Sequence, residues 1–233
     1  MNISALVIAL PSKGRLKEKA AALFEGAGYV LRAKGHERGY RGRLEGLEDV
    51  EVEYASAAEI VHRLRTGRVH LGITGEDLVR ETLNDADSTV EFLKPLSFGH
   101  ADVVVAVPEC WLDVSRMADL EDVAEQFARA HGRRLRVATK YTNLTRRFFA
   151  EKGVTGYRIV ESVGATEATP ATGTSELIVD ITSTGTTLKA NHLKVLDDGL
   201  ILKSEAHLLA AKDAAWSARA RDLRATIVDA LSG

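Results

Sequence analysis

Apolar residues in this chain fall into short blocks whose spacing switches repeatedly between that of a strand and that of a helix. "SALVIAL" (4–10) is a nearly unbroken apolar run, the pattern of a buried strand. Behind it, Leu16, Ala20, Leu23, Phe24 and Ala27 recur at helical spacing, and Gly28 closes the pattern as a C-terminal cap. A second helix is predicted over Ala57 to Arg65, ending at Gly67, with the strand "VHLGIT" (69–74) after it. "ADVVVAV" (101–107), "LRVAT" (135–139), "YRIVES" (157–162) and "ELIVDI" (176–181) continue the strand series. From about Glu205 to Leu231, the series Leu208, Leu209, Trp216, Leu223, Ile227, Leu231 predicts one terminal helix. Strands alternating with helices in this way predict an α/β protein.

Composition narrows the class. The 233 residues are 45% hydrophobic and 27% charged, which fits a soluble chain of one large domain or two modest lobes. A net charge of -2 counts against a general nucleic-acid binder. The single cysteine, Cys110, leaves no internal disulfide; it reads as a packing residue, and the chain as cytoplasmic. The apolar run Ile3 to Leu10 has no Lys or Arg before it and is too short to span a membrane, so it reads as a strand and not as a signal peptide. The seven histidines show no HxH or HxxxH spacing, so no metal site built by protein side chains is expected.

Polar residues crowd the carboxyl ends of four predicted strands, the edge where open α/β sheets hold ligands. In "LIVDITSTGTTL" (177–188), Thr182, Ser183, Thr184, Thr186 and Thr187 surround Gly185, with a helix predicted just beyond. Backbone N–H groups at a helix start, uncharged hydroxyls and a glycine turn together suit a phosphate. Asp180 would repel that phosphate on contact, and a role accepting hydrogen bonds from nearby sugar hydroxyls suits it better. The competing reading is a Thr-rich capping loop that binds nothing. Lys13 and Arg15, beside Gly14, stand where a helix dipole disfavours cations, so they read either as an anion site or as solvated charges over apolar surface. Lys140, Tyr141 and Asn143 surround a third helix start, with Asn143 as its N-cap, while Arg146 and Arg147 read as a solvated face. Glu76 and Asp77 read either as first-turn acids or as part of the ligand edge.

The stretches "LPSKGRL", "LGITGEDL", "FGHADVVVAVP", "ATKYTNLTRRFF" and "ESVGATEATPATGTSELIVDITSTGTTL" resemble ATP phosphoribosyltransferases, the family that opens histidine biosynthesis. The spacing Glu167, Gly173, Ser175, Ile178, Asp180, Ile181, Thr184, Gly185, Thr187, Leu188 carries the likeness most specifically. The resemblance implies a two-lobed fold of the type II periplasmic-binding-protein kind with the active site in the interlobe cleft. The expected division is 1–97 plus 186–233 for one lobe and 98–185 for the other. It implies transfer of the phosphoribosyl group of 5-phosphoribosyl 1-pyrophosphate (PRPP) to N1 of the adenine of ATP, releasing pyrophosphate. PRPP would meet Glu176, Asp180 and Thr182 to Thr187. ATP or pyrophosphate would meet Lys13, Gly14, Arg15, Glu76, Asp77, Lys140, Tyr141 and Asn143. Asp180, Glu167 and Lys13 are the expected catalytic residues, Glu167 as acceptor of an adenine amine proton. Mg²⁺ would be carried by PRPP or pyrophosphate, with no protein metal site. The chain ends one helix after the catalytic region and so resembles the family's short form. That form implies a regulatory subunit resembling histidyl-tRNA synthetase, and a homo-oligomer is expected; Trp216, among Ala and Arg on the terminal helix, reads either as packing on its own lobe or as a subunit contact. A non-catalytic phosphosugar- or nucleotide-binding protein of the same fold is the alternative.

Overall fold

The computed structural model describes residues 6–33 and 41–231 and divides into two compact units, one of residues 1–99 with 205–233, the other of residues 100–204. Residues 3–5 of the first apolar run lie outside the described residues. In chain order the first unit begins with β1 (Leu6–Pro11), α1 (Gly14–Gly26), β2 (Val30–Ala33), β3 (Arg41–Glu45) and β4 (Val50–Ala55). It continues with α2 (Ala57–Arg65), β5 (Leu71–Gly75), α3 (Glu76–Thr82), α4 (Ala86–Thr89) and β6 (Val90–Pro95). The second unit holds β7 (Asp102–Pro108), α5 (Met117–His131), β8 (Leu135–Thr139), α6 (Thr142–Glu151), β9 (Tyr157–Glu161), β10 (Leu177–Thr182), α7 (Thr186–Ala190) and β11 (Leu193–Leu202). The chain then returns to the first unit as β12 (Ala206–Ala211) and α8 (Ala218–Ala230).

The first sheet runs in the order β2-β3-β4-β1-β5-β12-β6. β1 lies parallel to β4 and β5, while β12 is antiparallel to β5 and β6. Both faces of β1 are covered, which is why its sequence reads as a continuous apolar run. Leu6, Ile8 and Leu10 pack with Phe24 of α1 and with Leu223 and Ile227 of α8. Ala9 points the other way, into a core with Ile60, Val61 and Leu64 of α2 and Val79 of α3. Ser56 and Ser217 cap α2 and α8, accepting from Glu59 N–H at 3.3 Å and Ala220 N–H at 3.0 Å.

The second sheet runs β11-β7-β10-β8-β9, with β8, β9 and β10 parallel and β7 antiparallel to β10 and β11. Val103, Val105 and Val107 of β7 face a large core with Met117 and Leu120 of α5 and Phe148 and Phe149 of α6. The opposite face carries a smaller cluster, Val104, Ala106, Ala138, Ile178, Leu188 and Leu193, covered in part by the single turn and a half of α7.

Four sequence expectations change. The terminal helix starts at Ala218 and not near Glu205, because residues 206–211 form β12. Leu208 and Ala210 face one core and Leu209 and Ala211 the other, and a short strand buried on both faces cannot be told from a helix by periodicity. Residues 186–204, expected with the first lobe, lie in the second unit, since β11 pairs with β7 from Leu193↔Pro108 onward. Cys110 is exposed, because it sits in the turn just past the end of β7. Trp216 packs partly buried against its own unit's core, and its indole N–H donates to the Ala211 carbonyl at 2.8 Å.

Candidate active site

Parallel β8, β9 and β10 release three polar segments from one sheet edge: 139–143, 162–176 and 182–187. Asp180 lies on the face of β10 that Ile178 shares with the smaller core, two residues nearer the edge. Burial pushes its carboxyl above the usual aspartate range; the Ile181 N–H, at 2.8 Å, and the charge of Lys140 pull it down, and the charge of Glu167 pushes it up. The charges of Lys140 and Glu167 thus both reach Asp180 at this edge. Glu167 sits in a single 3-10 turn, Thr166–Ala168, which packs against β10.

The 182–187 loop is braced from within. Thr182 Oγ1 accepts the Gly185 N–H at 2.9 Å, and the Ser183 hydroxyl donates to the His100 carbonyl at 2.8 Å. The Thr184 and Thr186 hydroxyls stand 2.9 Å apart, and both residues, like Thr187, are exposed. Gly185 has φ 74°, the left-handed conformation that a glycine adopts without strain. A Cβ there would meet nothing within 4 Å, so its backbone angle, and not lack of room, asks for glycine. α7 has only five residues, so the expected helix dipole is small and the donors are hydroxyls and first-turn N–H groups.

Other expected ligands lie elsewhere. Tyr141 is 1% exposed and belongs to the larger core of its unit, below the Lys140 ammonium that stands 5.0 Å from its ring centroid. Asn143 is not the cap of α6: the cap position falls on Tyr141, whose N–H is taken by Thr139 Oγ1 at 2.8 Å. Glu176 is at the amino end of β10, away from Asp180 and the loop, and is fully engaged. Arg133 holds both its oxygens at 3.0 and 3.1 Å. Arg136 adds contacts at 2.7 and 3.2 Å and its backbone N–H at 2.8 Å. Burial would raise the Glu176 carboxyl, but these bonds outweigh it and hold it at about 2. Neither arginine stands out in the sequence, because the pairing of β8 with β10 that brings them to Glu176 is a long-range register.

The first unit has an equivalent edge at the carboxyl ends of parallel β1, β4 and β5. Lys13 occupies the N-cap position of α1 with no side-chain cap, and no acid lies in the first turn. Lys13, Gly14 and Arg15 are exposed there. Glu76 and Asp77 open α3, but their carboxylates turn into the protein. Glu76 takes the Arg80 Nε–H at 2.6 Å and lies 4.0 Å from His207 Nδ1, and Asp77 is buried.

A sequence profile of the family described as ATP phosphoribosyltransferase matches residues 56–233. A relative of that name from Bradyrhizobium sp. (strain ORS 278) is 59% identical over 224 residues, 96% of this chain and 69% of the relative. The chain belongs to the ATP phosphoribosyltransferase family. A member from Sinorhizobium medicae (strain WSM419) is 60% identical over 210 residues, 90% of this chain and 91% of that one. Among solved structures, the "ATP phosphoribosyl transferase (HisG:HisZ) complex from Thermotoga maritima" is similar with a TM-score of 0.73 at 24% identity, covering 97% of this chain and 96% of that one. An ancestral arginine-binding protein bound to arginine shares the fold with a TM-score of 0.53 at 13% identity, over 98% of this chain and 91% of that one. The fold is thus the two-lobed α/β kind of the periplasmic binding proteins. Among the described residues no three His, Cys, Asp or Glu side chains gather as a metal site, and no helix is long and apolar enough to cross a membrane.

Proposed function

We propose that this family member transfers the 5-phosphoribosyl group of PRPP to N1 of the adenine of ATP, and that the edge formed by β8, β9 and β10 binds the ribosyl substrate. The N1 lone pair forms the new bond to ribose C1 as the bond from C1 to pyrophosphate breaks. No base is needed to create this nucleophile, so catalysis rests on positioning and charge stabilisation. Asp180 carries the reading. It is a half-buried carboxylate, incompletely neutralised by its surroundings, beside a hydroxyl-lined loop. Positive charge developing on the ribose relieves that condition, and the interaction is strongest in the transition state. The 5-phosphate lies on Thr182 to Thr187. Glu167 accepts the amine proton that becomes acidic once N1 is alkylated, and Lys13, Arg15 and Lys140 receive phosphates of the substrates.

The family's chemistry uses a divalent metal, which we take to be Mg²⁺ carried on the pyrophosphate of PRPP. The complex described from Thermotoga maritima supports a second subunit for this chain as well; we take that subunit to resemble histidyl-tRNA synthetase and to sense histidine. The reading includes a homo-oligomer of the chain in the cytoplasm. Incubation with ATP, PRPP and Mg²⁺, with and without such a partner, tests it through the absorbance of N1-alkylated adenine. Tight binding of PRPP without turnover under every condition would turn the reading toward a non-catalytic binder.

A further inference from the structure

The segment 162–176 connects the carboxyl end of β9 to the amino end of β10, with β8 between the two strands in the sheet. It has no apolar anchor: Val163 is 87% exposed, and its buried side chains are the polar Thr166 and Ser175. Glu167 is the only charged residue between Ser162 and Ser175. A segment with so little buried apolar surface depends on its polar contacts for its shape.

Those contacts form a continuous chain. Arg136 reaches from Glu176 to the Gly173 carbonyl at 2.7 Å, and Gly173 N–H donates to Pro170 at 3.1 Å. Ser175 and Thr169 hydroxyls meet at 2.7 Å, and Thr169 donates to the Thr166 carbonyl at 2.7 Å. Thr169 has one hydroxyl proton, so Ser175 is the donor in their pair. Thr166 in turn donates to Ser162 Oγ at 3.1 Å, and Ser162 N–H to the Thr139 carbonyl at 3.0 Å. The turn bearing Glu167 therefore hangs between β8 and the doubly clamped Glu176. It includes Ala165 at φ 47°, a left-handed conformation that a non-glycine residue holds only under restraint.

We infer that the Arg133–Glu176–Arg136 clamp is a positioning element of the active site, holding the far end of segment 162–176 so that Glu167 stays beside Asp180. This rests on the proposed roles of Glu167 and Asp180, and it gives the acid expected to touch ribose a different task. It also accounts for Ser175 in the family-like spacing, since its hydroxyl supplies a link of the chain, while Gly173, at φ 70°, makes the turn whose carbonyl Arg136 holds.

The test follows the ionisation of Asp180 by carboxyl-carbon NMR in the full chain. Lys140 from the end of β8, Glu167 from the segment, and Asp102, on the same face of β7 opposite Thr182, are the charged groups around it. Glu167→Gln should lower the Asp180 titration point, because it removes a neighbouring negative charge. Glu176→Gln should lower it in the same direction, and the double variant no further than Glu167→Gln alone. Thr169→Val, which cuts the chain without touching the clamp, should do likewise, and it serves if Glu176→Gln does not fold. Turnover should fall about tenfold in Glu176→Gln, with a smaller change in the KM for PRPP. A folded Glu176→Gln or Thr169→Val protein whose Asp180 titrates as in the parent overturns the inference. If Glu167→Gln keeps full turnover, the role of Glu167 in the reaction fails, while the titration still decides whether the clamp positions it.

Discussion

Two carboxylates four residues apart flank the length of β10, Glu176 just before its first residue and Asp180 near its carboxyl end, and the structure treats them in opposite ways. Glu176 receives two guanidinium groups and a backbone N–H, and its carboxyl is held at about 2. Asp180 receives one N–H, from its own neighbour, and burial pushes its carboxyl up. A charge saturated with partners holds structure together; one left short of partners is available to a ligand. Residue type did not separate the two, and neither did proximity in sequence. Their positions at opposite ends of one strand did, because β8 presents Arg133 and Arg136 at its beginning and Lys140 at its end.

The largest effect should come from Asp180→Asn. Turnover is expected to fall about 100-fold or more, with PRPP binding reduced far less, because the charge matters most in the transition state. Equal losses in kcat and in affinity would assign it a ground-state role only. The same change should leave the melting temperature at neutral pH unchanged or higher. A raised carboxyl binds its proton more tightly folded than unfolded, so its ionised form destabilises the fold above that titration point, and the penalty fades as pH falls.

Glu176→Gln should behave in the reverse sense, costing about 2–3 kcal/mol of stability at pH 7, read by denaturant unfolding. Because the folded carboxyl titrates near 2 and its ordinary value is 4.5, the contribution is complete above about 4.5 and is lost as pH falls toward 2. The parent protein should show that acid-dependent loss and the variant should lack it; matching acid profiles would mean the clamp adds nothing to stability.

Gly185→Ala should cost about 1 kcal/mol from the left-handed φ and weaken PRPP more than ATP. Gly185→Asn should cost less, since asparagine tolerates that conformation. Equal PRPP affinity in a folded Gly185→Ala protein would remove the loop from the phosphate site. The smallest change belongs to Arg133→Gln. Its side chain is 40% exposed, so about 0.5 kcal/mol is expected, well below Arg136→Gln, whose side chain is 18% exposed. Parity between the two would show that Arg133 is as central to the clamp as Arg136.

Much was legible in one dimension. The strands ending at Pro11, Gly75, Thr139 and Thr182 carry enough apolar residues in period to announce themselves, and polar residues follow at their carboxyl ends, the edge proposed to hold the substrates. The spacing from Glu167 to Leu188 was specific enough to indicate the family. β12 was misread as helix because both its faces are buried.

What the sequence determined by itself was local: which segments are extended, where the chain turns, and that Gly185 and its hydroxyls lie just after a buried strand. Which carboxylate is free was decided by tertiary structure. That outcome depends on the parallel register Leu177↔Val137, which brings Arg136 beside Glu176 and Lys140 toward Asp180. Tyr141 belongs to the same category. Its sequence neighbours suggested a ligand, but the ring is buried in the larger core of its unit, with residues of β7, β8, α5 and α6. A strand's hydrophobic pattern specifies which side chains turn inward. It contains no term for which strand will lie alongside, and the electrostatics of a carboxylate are set mainly by that neighbour.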